Sequence, residues 1–166
     1  MKSTEMLEFL REFHRDKFVL RSRHVSAARF VGDYNFNNTY QYVIAREETH
    51  VRWLADAVTD LGGQSDESLP PDAAPSASGD AAQRAVISRD RDEAQRFVDK
   101  WRPRVDSLPS ARHRTMLNVV LGETLEHKRF FEMALAGRAD LLGRRADGAG
   151  TGDGVMGDRW VGDITK

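Results

Sequence analysis

Four long segments of this chain carry apolar residues at helical spacing, and no segment alternates as a strand would. That periodicity predicts an all-α fold. The first segment runs from about Ser3 to Val31 without Gly or Pro, with Ser3 or Thr4 as a cap and Glu5 and Glu8 in its first turns. As a helix it would be roughly 40 Å long. Gly32-Asp33-Tyr34-Asn35 breaks it. The second helix is expected from about Phe36 to Leu61, stopped by Gly62-Gly63. The third is expected from about Ala81 to Trp101, ending before Pro103, and the fourth from about Ala111 to Leu142, after the turn Leu108-Pro109-Ser110.

Residues 64–80 are rich in Pro, Ser, Ala and Asp and read as a flexible crossover. Residues 1–142 are therefore expected to form a four-helix bundle, and the Gly/Asp-rich residues 143–166 a mobile tail. Short turns make neighbouring helices antiparallel, and a long middle connection lets the second and third run parallel, as in ferritin-like folds. An up-down bundle with a loose loop fits the same periodicity.

Composition narrows the function. The chain has 166 residues, enough for one sizeable core, and a formal net charge of -1. A nucleic-acid binder would carry a strong basic surplus. There is no Cys, which removes disulfides, thiol catalysis and Cys-held metal or Fe–S sites. No apolar window is long enough to span a membrane and no secretory leader is legible, so a cytoplasmic protein is expected.

The chemistry sits where the core should be. The inward stripe of the second helix reads Phe36, Tyr40, Val43, Glu47, His50, Leu54, Ala57, Leu61, so a carboxylate and an imidazole interrupt an apolar seam. Burying a lone carboxylate costs several kcal/mol unless it is paired, protonated or metal-bound. The fourth helix repeats the pattern as Met116, Val120, Glu123, then Glu126 or His127, Phe130, Ala134 and Leu141. The third contributes Val86, Asp90, Glu93, Phe97 and Trp101. Asp90 precedes Glu123 by 33 residues and His14 precedes Glu47 by the same interval, which hints at duplicated helix pairs.

The set His14, Glu47, His50, Asp90, Glu93, Glu123 and His127, with Glu126 on its flank, suits two divalent or trivalent metal ions of the iron or manganese type, with zinc as a further alternative. Each member also has a plainer reading. A single Glu-x-x-His in a charged helix is commonly a solvated pair, Glu126 alone reads as exposed, and His14 alone as partly exposed. Lys17 and His24 read either as residues facing the bundle or as boundary residues with packed stems. Tyr40 reads as a core tyrosine or a hydrogen-bonding residue beside the metals.

The segments YQYVIAREETHVRWLADAVTDLGG (Tyr40–Gly63) and LGETLEHKRFFEMAL (Leu121–Leu135) resemble the ferritin-like superfamily, in particular its rubrerythrin-like branch. That family places Glu on the first helix, Glu-x-x-His on the second and fourth, and acids on the third. Here His14 stands at the first-helix Glu position and Asp90 at a usual Glu, and His127 is displaced by one or Glu126 replaces it. The resemblance implies a non-haem di-iron centre acting on peroxide, O₂ or Fe(II), in a homodimer. Without a Cys-rich electron-transfer domain it also implies an external electron donor. The competing expectation is a non-catalytic bundle with a metal-free polar core, serving as a scaffold or binding a protein partner through its tail. No nucleic acid or membrane partner is expected.

Overall fold

A computed structural model describes residues 3–69, 78–138 and 141–142. It is a four-helix bundle of α1 (Ser3–Ala28), α2 (Tyr34–Asp60), α3 (Gly79–Asp106) and α4 (Ala111–Leu135). The tail beyond Leu142 lies outside the described residues.

Cross-helix pairs give the directions. Arg104 meets Glu12, Lys100 meets Asp16 and Arg23 meets Glu93, so α3 runs antiparallel to α1. Arg46 meets Glu123 and the ring of Tyr42 meets that of Phe130, so α4 runs antiparallel to α2. Since α1 is antiparallel to α2, α2 and α3 are parallel. The connection between them starts beside α1, where Arg11 donates to the Gln64 carbonyl at 3.2 Å and Arg15 pairs with Asp66 at 2.9 Å. It ends at the opposite pole, where Gln83 Oε1 accepts the Gly32 amide at 2.9 Å. This is the long-crossover connectivity, and the plain up-down alternative is excluded.

Helix ends follow local chemistry. Asp33 caps α2 by accepting from the Phe36 amide at 2.7 Å, and Asn37 donates back to the Ala28 carbonyl at 3.0 Å. Gly62 adopts φ +77°, and the amides of Gly62 and Gly63 bond the Thr59 and Val58 carbonyls, closing α2 in a Schellman turn. Gly137, at φ +84°, ends α4 in the same way, so that helix stops at Leu135 and not at the expected Leu142. Pro103 does not stop α3, which continues to Asp106. The residues around it are held to α1: Trp101 Nε1 donates to Asp16 at 2.9 Å, and Arg104 forks onto Glu12 at 2.8 and 2.7 Å. Packing of the fully buried Trp101 and Val105 carries the helix past the ring.

The core has two apolar halves. Leu10, Phe13, Leu54, Phe97, Trp101 and Leu117 fill one, with the Phe13 and Trp101 rings 4.7 Å apart. Phe36, Tyr40, Val43, Ile87 and Phe131 fill the other, joined by Leu141. Between them lies a belt of buried polar side chains: Lys17, His24, Glu47, His50, Asp90, Thr124 and His127.

A Cβ on Gly63 would collide with the Leu7 side chain, whereas nothing lies within 4 Å of one on Gly32. Gly63→Ala should therefore cost about 1–2 kcal/mol, and Gly62→Ala about 1 kcal/mol through its left-handed backbone. Gly32→Ala should change stability by less than about 0.5 kcal/mol. Urea unfolding of the three variants checks the order.

Candidate functional site

Glu47 is the centre of the belt. Its side chain is fully buried, and it receives Lys17 Nζ at 2.7 Å on Oε1 and His24 Nδ1 at 2.6 Å on Oε2. Both partners come from α1, seven residues apart on the stripe Leu10, Phe13, Lys17, Leu20, His24, Ala27. Lys17 is itself fully buried, donates to Thr124 Oγ1 of α4 at 3.0 Å and lies 5.3 Å from the Phe97 ring centroid. Burial alone would raise the Glu47 carboxyl. The charges of His24 and Lys17 outweigh that and hold it well below the usual carboxylate range. Burial also opposes protonation of His24, but Glu47 prevails and His24 is raised above its ordinary value.

The other expected acids also have partners. Tyr40 donates its hydroxyl to Asp90 Oδ2 at 2.6 Å, and Arg89 Nε reaches Oδ1 at 3.2 Å. Burial dominates at Asp90 and raises its carboxyl; it also raises the Tyr40 phenol, to which the Asp90 charge adds. Glu123 is only partly buried. Arg46 forks onto it at 2.9 and 2.6 Å, and His50 Nε2 donates at 2.9 Å. The Arg46 hydrogen bond is the main reason its carboxyl is lowered. Glu93 turns to the rim and pairs with Arg23 at 2.9 Å and Arg96 at 2.7 Å.

The expected ligands are thus only partly gathered. Glu47, His50, Glu123 and His127 face one another across α2 and α4, with the His50 and His127 rings stacked at 6.4 Å. Asp90 sits in the belt but is engaged by Tyr40, so that tyrosine is both a core residue and a hydrogen-bond donor. Glu126 is exposed. His14 is fully buried and not partly exposed, yet it does not join Glu47. It stacks on Phe18 at 6.2 Å, near the charges of Glu67 and Asp66 of the crossover. The fourth-helix stripe is also shifted: Leu117, Leu121, Thr124 and Phe131 are buried, while Met116 and Glu123 lie at its edge. Lys17, His24, Thr124 and Arg46 were the partners that patterning undervalued. For Lys17 and His24 a signal existed, because both fall in the α1 heptad stripe.

Could this donor set hold two metal ions? Both Glu47 oxygens already accept hydrogen bonds from nitrogen donors, and the ammonium stands beside the carboxylate where a bridged cation would be needed. Asp90, Glu93 and Glu123 each contact at least one cationic side chain of this chain. Among the described residues, no group of three or more His, Asp or Glu side chains is placed to hold a metal ion. A di-metal centre does not fit this arrangement. What the belt does leave open is imidazole nitrogen: His50 Nδ1, His24 Nε2 and both nitrogens of His127 are buried without a hydrogen-bond partner, as are both nitrogens of His14 outside the belt.

Burial pushes His50 down to about 4, the Lys17 charge adding to the effect, and it lowers His127 and His14 as well. These three imidazoles are folded in as neutral groups, whereas the unfolded chain protonates them near 6.5. Their contribution is complete above about pH 6.5 and is lost as pH falls toward the folded values. For His50 alone that loss is about 3 kcal/mol by pH 4. His24 runs the other way: its contribution is present below about 6.5 and fades as pH rises through its folded value. Unfolding free energy should peak near neutrality and fall on acidification, and His50→Gln should shrink the fall between pH 7 and 4.5. An undiminished fall in that variant would contradict the assignment. No protein-family model, curated protein or solved structure matches this chain.

Proposed function

We propose that the chain is a ferritin-like bundle in which an internal ion-pair network stands where a di-metal centre would be, and that it works as a non-catalytic, protein-binding scaffold. The Lys17–Glu47 pair carries this reading. A lysine buried against the central carboxylate supplies the positive charge that iron or manganese would supply, with no open coordination position for peroxide or O₂. The parallel α2 and α3 and the Glu-x-x-His of α2 support the ferritin-like part of the proposal.

Its outer surface supports the binding part. Tyr42 and Trp53 lie on one face of α2, 39% and 38% exposed, and Val119 of the neighbouring α4 is 43% exposed. Aromatic residues are enriched at protein interfaces, and this face offers two of them beside the Arg46–Glu123 fork. A second copy of the chain is one candidate occupant. No described helix is long and apolar enough to cross a membrane.

A metal-dependent oxidoreductase is the second reading, and one observation favours it: the unpartnered nitrogens of His50 and His127 beside Glu47 and Glu123. Metal analysis separates the two. Protein expressed with iron, manganese and zinc supplements and purified without chelators should hold less than about 0.2 equivalents of any of them. One equivalent or more of tightly held metal would overturn the scaffold reading in favour of the metal-dependent one.

A further inference from the structure

Lys17 does more than neutralise Glu47; the groups around its nitrogen are those of a cation site. Nζ lies 2.7 Å from Glu47 Oε1 and 3.0 Å from Thr124 Oγ1, with the face of Phe97 on another side at 5.3 Å. His127, 1% exposed, has Nδ1 3.8 Å from the same Glu47 oxygen, and neither of its nitrogens has a hydrogen-bond partner. His50 stacks beside it with Nδ1 also unpartnered. A carboxylate oxygen of α2 and a hydroxyl of α4 therefore flank the ammonium that α1 delivers, and an imidazole nitrogen of α4 lies 3.8 Å from the same carboxylate oxygen.

We infer that Lys17 is a built-in occupant of a divalent-cation site made by Glu47, His127 and Thr124, so that removing its amino group and stem opens the site to a free metal ion. An oxygen-and-imidazole set of this kind suits a borderline first-row ion such as Co(II) or Zn(II), with water filling the space left by the side chain. The buried carboxylate makes the exchange favourable. Without Lys17 it loses its shortest cationic contact on Oε1, and a metal ion restores one. This inference rests on the metal-free reading of the natural chain.

The test uses the full-length chain with Co(II) as the probe, followed by its visible absorption and by thermal unfolding with and without the ion. The natural protein should bind none and keep its Tm. Lys17→Ala should bind one Co(II) per chain, and Co(II) at about 100 times its Kd should raise the variant's Tm by about 5 °C. Lys17→Met, which fills the space with an apolar stem, should bind none. Adding His127→Ala to Lys17→Ala should weaken Co(II) by more than about tenfold. If Lys17→Ala is unfolded alone, Co(II) should fold it, as circular dichroism would register. A Lys17→Ala chain that neither binds Co(II) nor is folded by it overturns the inference, as does binding that survives loss of His127 unchanged. Binding by the natural protein overturns the metal-free reading instead, so the two failures are distinguishable.

Discussion

The buried carboxylate of Glu47 is the constraint around which the bundle is arranged. An uncompensated charge at that depth would cost several kcal/mol, a large share of the stability of a domain this size. Lys17 and His24, one above the other on α1, take up both of its oxygens. A buried pair of this kind adds little net stability over an apolar filling, but removing one partner typically costs 3–5 kcal/mol. The belt is therefore more informative about specificity than about strength.

That specificity is axial. Apolar burial is non-directional, so a slide of one helix by a turn, about 5.4 Å, would cost the two apolar halves of the core less specifically than it would cost the belt. It would not preserve the polar contacts. Lys17 would leave Glu47 and Thr124, the Tyr40 hydroxyl would leave Asp90, and His50 would leave Glu123. One layer of directional bonds fixes the register for contacts that would otherwise tolerate several. The exposed pairs on the α1–α3 seam, such as Lys100 with Asp16 and Arg104 with Glu12, follow the same register but contribute less each, because water screens them.

The same belt accounts for where the sequence pattern was informative and where it misled. Glu47, His50, Asp90 and His127 interrupt otherwise apolar stripes, and each is indeed buried. Glu123 and Glu93 lie at stripe edges, where the period of 3.6 leaves the inward direction unresolved by one position. Both reach solvent-side arginines. Pro103 and Gly137 show the competition directly. A proline in a last turn yields to the packing of Trp101 and Val105, whereas a glycine free to adopt positive φ ends its helix without opposition.

From the sequence by itself came the four helices, the breaks between the first two and the presence of titratable groups in the core, because periodicity, capping and backbone freedom are local properties, whereas the choice of crossover over up-down connectivity came from the cross-helix contacts. Only the tertiary structure decided what those groups do. Lys17 meets Thr124 across 107 positions and Glu47 across 30. Whether a buried acid faces a metal, a proton or an ammonium depends on which neighbour the folded register brings within 3 Å. No helical wheel carries that distance.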